Sequence, residues 1–348
     1  MRQLQLTRFL CSAALVVTPL AAQVDRNSYV QTNLISDVDG LAAHTDTNLS
    51  NAWGIAFGGN GPWWVNSANK DLSLVYDGSG NAFPPGNQLI VSIPGPSQGV
   101  PAQPTGIEVN STSDFGGAIF LFASASGTVS TWNGGTAAVT KISKPGATYL
   151  GLTIGQLNGA NVLYVANFAG SIEAYDTNFM PVSLPAGAFT DPQLPSGYAP
   201  FNVQNIGGSI FVMFAQVGPD GNEVHGAGLG YVDQFAPDGT LQLSLEHGDW
   251  MNSPWGIAMA PSTGFGVMSR RILVGQFGGG QVASFNARTG AFGGLMEGTD
   301  GNPLVIDGLW GIRFGNNGNA GSAKALYFAA GIQDEAHGLF GNLTFSGR

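Results

Sequence analysis

A short apolar segment with glycine near its start recurs along the chain and constrains the fold more than any other feature. Its copies lie near residues 53–57, 105–109, 150–154, 201–204, 255–259 and 310–314, spaced 45 to 55 residues apart. The fourth copy is degenerate, with Asn202 where the others have glycine. Self-similarity at such a spacing is typical of repeat architectures. Six units of similar size therefore fill the chain after its N-terminal segment.

Each unit continues with further short apolar segments separated by turn residues. In the first unit these are residues 63–66, a segment that ends at Tyr76, and residues 89–93, with Gly, Asn or Asp in the turns. Four antiparallel strands in a unit of this length are typical of a propeller blade. The sequence therefore predicts an all-β fold, a six-bladed β-propeller of four-stranded antiparallel blades, with the recurring segments as inner strands.

The last unit runs out of chain before it reaches a fourth strand, whereas residues 29–35 precede the first unit and have strand character. We predict that this N-terminal strand pairs into the last blade and closes the ring, which removes exposed sheet edges.

The composition excludes helical and disordered folds. A chain with 53 Gly and 19 Pro but only 12 Lys plus Arg is poorly suited to helices, and 43% apolar residues exclude disorder.

The N-terminus has the layout of a secretory signal peptide, with Arg2 and Arg8 ahead of an apolar run over residues 9–22. We predict a signal peptide at residues 1–22, with a retained membrane anchor as the alternative, and a single propeller domain at residues 23–348. The only cysteine, Cys11, lies in the signal. Secretion without disulfides suits a secreted or periplasmic bacterial protein.

The net charge of −10 indicates which classes of partner the protein is unsuited to bind. Nucleic acids and anionic membranes need clustered positive charge, so neither is expected to bind. No second apolar run is long enough to span a membrane, so we expect no membrane span after the signal is removed. We expect a monomer whose partner is a small molecule or a glycan.

Histidines and carboxylates mark one face of the predicted ring. Loops that lead into inner strands share a face with loops between second and third strands, and both kinds carry the histidines. Imidazole with carboxylate is the ligand mixture of zinc sites, and carboxylates with amide oxygens suit calcium. A divalent cation, calcium or zinc, is therefore a candidate cofactor. Its candidate ligands are His44, His225, His337 and Asp307, and polar loops with no metal are the alternative.

Other polar side chains at this end of the strands are candidates for ligand binding. They are Asn51, Asn66, Asn167, Asn202, Asn252, Asp334 and Glu335. Three tryptophans precede the recurring glycine, at Trp53, Trp255 and Trp310. Repetition at one position favours packing between blades over carbohydrate stacking, because function seldom repeats in every blade. Neighbouring Trp63 and Trp64 should point to opposite sides of their strand, so we expect at most one to be fully buried.

Two levels of family resemblance follow from particular stretches. The hairpins within residues 163–176 and 272–285 resemble those of NHL-type and gluconolactonase-like six-bladed propellers. Residues 48–55, 197–208, 306–311 and 334–341 carry a resemblance over the whole mature chain to an uncharacterised family of secreted bacterial propeller proteins. This second resemblance implies the fold and export, without an established activity.

Gluconolactonase-like enzymes hold a divalent cation at the channel mouth with a Glu, two Asn and an Asp on inner strands. The resemblance implies that Asp307, with Asn252 or Asn202, takes part of that role here. Asn51 and Ala52 stand where the Glu would lie. Three hypotheses remain open: ligand binding at the His- and Asn-bearing face without an assigned activity, a metal-dependent hydrolase or lactonase with a cation at the channel mouth, and a protein-interaction scaffold.

Overall fold

The computed structural model describes residues 27–347, so the predicted signal peptide lies outside the described residues. Short strands joined by tight turns make up nearly all of its regular structure. In chain order the strands are β1 (Tyr29–Ser36), β2 (His44–Thr45), β3 (Ala52–Ala56), β4 (Trp63–Ser67), β5 (Leu72–Tyr76), β6 (Ile90–Ser92), β7 (Pro104–Val109), β8 (Phe120–Ser124), β9 (Thr128–Trp132), β10 (Val139–Ser143), β11 (Tyr149–Leu157), β12 (Ala160–Asn167), β13 (Ile172–Tyr175), β14 (Tyr198–Ile206), β15 (Ser209–Gln216), β16 (Tyr231–Phe235), β17 (Leu241–Ser244), β18 (Pro254–Met259), β19 (Arg271–Gln276), β20 (Val282–Asn286), β21 (Phe292–Leu295), β22 (Leu309–Phe314), β23 (Ala325–Ile332) and β24 (His337–Phe345).

These strands form six blades that are antiparallel except where β2 pairs with β1, which confirms the predicted six-bladed propeller. Blades one, two, four and five have four strands each, with β3, β7, β14 and β18 innermost. Blade three has only β11, β12 and β13, and an isolated bridge between Tyr175 and Pro181 extends its outer edge. Blade six has five strands, from β22 innermost to the two-residue strand β2 outermost.

The N-terminal strand closes the ring, as the sequence predicts. Strand β1 pairs antiparallel with β24, from Tyr29 opposite Phe345 to Ser36 opposite Leu339. The blade at the end of the chain therefore contains a strand from its beginning. This pairing ties the two ends of the domain together and covers the edge of β24 that would otherwise be exposed.

The recurring glycines lie where neighbouring inner strands touch. A Cβ added to Gly54 would clash with the carbonyl oxygen of Thr105 in the next blade, and one added to Gly311 would lie 2.7 Å from the carbonyl oxygen of Trp53. Equivalent close approaches to the next blade occur at Gly106, Gly151 and Gly256. Glycine recurs because no side chain fits between the inner strands at this level.

Apolar side chains fill the spaces between blades. Trp63 packs with Tyr327 and Phe340 of blade six, whereas Trp64 packs with Phe120 of blade two. Trp63 is fully buried, at 0% exposure, and Trp64 is nearly so, at 4%, so one of the two is fully buried as expected but neither faces solvent. Their side chains do point to opposite sides, but each side of an interior blade is covered by another blade.

In the part of the chain that the structure describes, helical structure is limited to single turns. They are an α-turn, α1, at Asp114–Gly117 and two 3₁₀ turns at Ala68–Lys70 and Gly266–Met268. Within residues 27–347, no helix is long and apolar enough to cross a membrane.

Candidate functional site

A cavity of about 540 Å³ opens at the end of the channel where the inner strands begin. Its apolar floor includes Trp53, Leu150, Phe168 and Trp310. Its walls are polar and come from loops that lead into inner strands and loops between second and third strands, on the face that the sequence predicts to carry the site. We call this cavity the acidic mouth, because Glu223, Asp334 and Glu335 line it and no Lys or Arg among the described residues does.

The floor is built from the recurring tryptophans. Each inner strand shifts register with its neighbour near the glycine position, a β-bulge that re-aims the adjacent side chains. The rings of Trp53 and Trp310 stack with centroids 3.7 Å apart, and Trp255 meets Trp310 edge-on at 5.8 Å. All three are less than 9% exposed. They fill the centre of the ring, as the packing interpretation requires.

One wall of the acidic mouth is the turn between β23 and β24. Gln333, Asp334 and Glu335 all adopt positive φ angles, of 55°, 53° and 62°, a backbone conformation that costs energy in residues other than glycine. Hydrogen bonds hold the turn. Gln333 N donates to Asp307 Oδ2 at 2.7 Å, and Asn69 Nδ2 donates to the Glu335 carbonyl oxygen at 2.7 Å.

Glu335 connects this turn to the aromatic floor. Asn51 Nδ2 donates to Glu335 Oε1 at 2.9 Å, while Asn51 Oδ1 accepts from Trp310 Nε1 at 3.2 Å. Burial raises the pKa of Glu335, and the negative charge of Glu223 adds to that rise. The hydrogen bond from Asn51 and the nearby His225 partly oppose it. The carboxyl groups of Glu223 in blade four and Glu335 in blade six are therefore close enough across the cavity for the charge of Glu223 to affect the pKa of Glu335.

His225 stands beside the second carboxylate. Its Nε2 lies 3.2 Å from Glu223 Oε1, and its ring meets Phe277 edge-on with centroids 5.0 Å apart. The hydrogen bond to Glu223 raises the pKa of His225, with smaller contributions from the charges of Glu223 and Glu335, whereas burial lowers it. The imidazole therefore keeps its proton at a higher pH than an isolated histidine does.

The structure brings only part of the predicted ligand-binding set to the cavity. Asn51, Asp334 and Glu335 line it. Asn66, Asn167, Asn202 and Asn252 instead tie the backbone together: Nδ2 of Asn66 donates to Thr105 O at 3.0 Å, Oδ1 of Asn167 accepts from Thr148 N at 3.0 Å, Nδ2 of Asn202 donates to Trp255 O at 2.8 Å, and Oδ1 of Asn252 accepts from Gly226 N at 2.8 Å. Asn202 thus links blades four and five where the other units have glycine.

The four metal-ligand candidates do not meet at one point. His44 lies in β2, the outermost strand of blade six, far from the axis side of that blade. His337 pairs with Asp37, Nδ1 to Oδ2 at 3.1 Å, and Asp307 accepts from the backbone of Gln333. None of the four lines the acidic mouth, although His225 contacts the lining residue Glu223. Across residues 27–347, no three His, Cys, Asp or Glu side chains group so that they could hold a metal ion.

Several lining residues were missing from the predicted set, including Asn69, Gln103, Asn222 and Glu223. A signal existed for two of them. Gln103 lies three residues before Gly106, as Asn51 lies three before Gly54, and both have positive φ angles, of 55° and 50°. Glu223 shares its loop with His225. The equivalence of Gln103 and Asn51 in the repeat predicts that Gln103 lines the cavity, and the proximity of Glu223 to His225 in the sequence predicts the same of Glu223.

Solved structures with a similar fold include enzymes. One is a catalytically inactive virginiamycin B lyase from Staphylococcus aureus with quinupristin, at 13% identity and a TM-score of 0.52 over 91% of this chain and 99% of that chain. Another is the PQQ-bound aldose sugar dehydrogenase from Streptomyces coelicolor, at 14% identity and a TM-score of 0.53 over 92% of this chain and 99% of that chain. At such identity the likeness shows the propeller fold alone.

The chain also has relatives in sequence, although no family model matches it. "Uncharacterized protein R648" of Acanthamoeba polyphaga mimivirus is 30% identical over 359 residues, which cover 96% of this chain and 84% of that protein. "Uncharacterized protein L690" of the same virus is 31% identical, over 89% of this chain and 84% of that protein. These relatives are viral, and a bacterial origin and export stay predictions. The chain belongs to the same family of propeller proteins as these two mimivirus proteins.

Proposed function

We propose that the protein binds a small organic cation in the acidic mouth. The observation that carries the proposal is the lining itself: three carboxylates, no Lys or Arg, and an apolar aromatic floor. A wall of one sign of charge in a partly desolvated cleft attracts ligands of the opposite sign. The apolar side chains of the floor favour a cation with hydrocarbon substituents over a bare metal ion, because they can pack against hydrocarbon but cannot coordinate a metal.

Size and preorganisation agree with a small ligand. A volume of about 540 Å³ lies in the range of small-molecule sites. Glu335 is held by Asn51, and its turn is held by Asn69 and Asp307, so the carboxylate is positioned before a ligand arrives. Quinupristin and PQQ are held by two propellers of similar fold, so this architecture accommodates small organic molecules.

A glycan fits this cavity less well. Sugar stacking needs an open aromatic face, but Trp53 and Trp310 are 8% and 1% exposed, and each is covered by the other's ring. Ionised carboxylates in the wall also carry negative charge that a neutral sugar leaves unbalanced, whereas a cation balances it. We therefore place the organic cation ahead of the glycan.

A matched pair of probes tests the proposal. Choline carries a trimethylammonium group, and 3,3-dimethylbutan-1-ol has the same shape without the charge. Isothermal titration calorimetry of the full domain should show tighter binding of choline. Glu335→Gln and Glu223→Gln should each weaken choline binding roughly tenfold, the equivalent of about 1.4 kcal/mol, because each removes one charge from the wall. Glu108→Gln, at the opposite end of the channel, is the control and should leave choline binding unchanged.

Equal affinity for the charged and neutral probes would contradict the proposal, since the carboxylates would then contribute nothing to recognition. So would choline binding that survives both Gln substitutions in the wall. Thermal unfolding of each variant in the absence of probe separates a lost contact from a lost fold.

A hydrolase is the second candidate, and the Glu223–His225 pair is the observation that favours it. A histidine oriented by a carboxylate is the arrangement of a general base, which takes a proton from water as the water attacks an ester. Acetylthiocholine combines a cation with an ester and serves as the probe. If the domain hydrolyses it, His225→Gln should abolish turnover while choline still binds. Absence of turnover with intact choline binding would leave the protein a binder and remove the hydrolase.

A further inference from the structure

The opposite end of the channel has a second cavity, of about 370 Å³, that the proposed function does not use. Its lining includes Glu108, Thr153, Gln204 and Arg313, on inner strands β7, β11, β14 and β22. We call this cavity the far mouth. Between the two mouths the channel narrows to a void of about 30 Å³ beside Trp255, which has room for little more than water. The far mouth is therefore a separate site.

The repeat places these side chains at one level of the channel. Two residues after the recurring glycine position, the six units carry in order Ala56, Glu108, Thr153, Gln204, Ala258 and Arg313. Glu108, Gln204 and Arg313 come from alternate blades, so they are spread around the axis at intervals of about 120°. The two alanines belong to the blades on either side of Arg313. Both are buried in the apolar packing between blades and add no charge to the far mouth.

Arg313 has a positive charge with no carboxylate bound to it. Its Cζ lies 5.2 Å from the centroid of the Phe57 ring, a cation–π contact that supports the side chain from one side. The ion pairs found among residues 27–347 do not include Arg313. Gln204 lines the same cavity, and its amide has no hydrogen-bond partner within the described part of the chain. A planar guanidinium with free donors is suited to a carboxylate.

Glu108 is held in place by other groups. Thr153 Oγ1 donates to its Oε2 at 2.8 Å, and Val109 N donates to its Oε1 at 3.0 Å. Asn205 N in turn donates to Thr153 Oγ1 at 3.0 Å, which fixes the threonine. Arg313 is near enough for its charge to lower the pKa of Glu108, against the larger effect of burial, which raises it. The two opposite charges thus face one cavity while each is held by different neighbours.

We propose that the far mouth binds a small zwitterion of the α-amino acid type, because opposite charges face the same cavity there without forming an ion pair with each other. The ligand's carboxylate lies on the Arg313 guanidinium, and its ammonium group lies on the Glu108 carboxylate. Each ligand charge meets a partner that is already positioned, so little side-chain ordering is needed on binding. The unpaired amide of Gln204 adds a polar contact to the ligand.

Three probes separate the charges of the ligand. L-Glutamine has both, glutaramate lacks the ammonium group, and 4-aminobutanamide lacks the carboxylate. Calorimetry on the full domain, with excess choline present to occupy the acidic mouth, should give the tightest binding for glutamine, by at least tenfold over either single-charge probe. Arg313→Gln and Glu108→Gln should each weaken glutamine binding at least tenfold. Arg313→Gln should not weaken 4-aminobutanamide binding, and Glu108→Gln should not weaken glutaramate binding, because each substitution removes a charge of the same sign as the probe.

The control is Glu335→Gln in the acidic mouth, which should bind glutamine as the unsubstituted domain does. Thermal unfolding identifies a variant that fails to fold. In that case Arg313→Lys, which keeps the charge and loses the fork of donors, should still weaken glutamine binding severalfold. Glutaramate binding as tightly as glutamine would overturn the proposal in favour of a plain anion site. Absence of glutamine binding at millimolar concentration would overturn it outright.

Discussion

The two mouths of the channel are built by the same six inner strands but differ in charge and in the source of their side chains. The acidic mouth has three carboxylates, no Lys or Arg, and a floor of packed rings. The far mouth has one carboxylate, one guanidinium and several amides. Loops supply most of the acidic wall, whereas the strands themselves supply the charges of the far mouth. One scaffold therefore contains two chemically different cavities.

The difference teaches how to interpret a repeat. Trp and Gly recur because the ring needs them: the glycines let inner strands touch, and the tryptophans fill the centre. Two residues further along each strand, the residue changes from blade to blade, from alanine to Glu108 or Arg313. Constant positions in this repeat stabilise the fold, and divergent positions at the same depth are free to carry chemistry.

The largest expected effect is a loss of stability on substitution in the aromatic cluster that separates the two mouths. Trp310→Ala removes a ring that stacks on Trp53 at 3.7 Å and on Phe277 at 3.6 Å. We expect a loss of about 3–5 kcal/mol in the free energy of unfolding, since truncation of a buried aromatic leaves a cavity. Urea denaturation measures it. Gln204→Ala, at the far mouth, is the control and should change stability by less than about 0.5 kcal/mol.

A loss in Trp310→Ala as small as that in Gln204→Ala would mean that the aromatic cluster does not hold the ring together. The comparison of a packed centre with a polar far mouth would then fail. Weakened choline binding in Trp310→Ala is expected as well, because this residue forms part of the floor and donates to Asn51.

A smaller effect is expected where inner strands touch. Gly311→Ala would place a methyl group 2.7 Å from the carbonyl oxygen of Trp53, an overpacking that costs about 1–3 kcal/mol. The matched control is Gly58→Ala after the end of β3, where the nearest atom to the added methyl group is Val109 Cγ2 at 3.4 Å. The free energy of unfolding of Gly58→Ala should be equal to that of the unsubstituted domain or slightly higher. Equal losses in both variants, measured by urea denaturation, would refute the close-approach explanation of the repeat.

Much of the fold was predictable because the repeat is strong. The spacing of the Trp-Gly segments predicts six blades, and the missing last strand predicts closure by β1. The alternation of Trp63 and Trp64 predicts that their side chains face opposite sides of the strand, but it does not predict that both sides are shielded, because that depends on the blades that cover each side. A pattern of side-chain direction specifies which side a residue faces, but burial depends on what packs against that side.

The candidate site was predictable only in part. Sequence order assigns a loop to a face of the ring, and that placed Asn51, Asp334 and Glu335 correctly at the acidic mouth. It gives no distance from the axis, so His44, on an outer strand, was grouped with His225. Asparagines such as Asn66 bind backbone groups, a role that depends on the exact approach of the next blade. The far mouth depends on side chains of alternate blades, which become neighbours only when the ring is closed.

The smallest expected effect is a pH dependence that distinguishes the mouths. Burial raises the pKa of Glu335, so the folded protein keeps this proton at a pH where the unfolded chain, with a pKa of about 4.3, has released it. Stability from this group is therefore full below about pH 4 and falls as the pH rises through the folded pKa. Glu335→Gln should reduce the fall in stability between about pH 4 and neutral pH. Choline should reduce the same fall in the unsubstituted domain, because it favours the ionised carboxylate of Glu335. Glutamine at the far mouth should leave the Glu335 contribution unchanged. Unfolding curves across this pH range measure all three, and an identical decline with and without Glu335 would mean that the acidic wall is not desolvated.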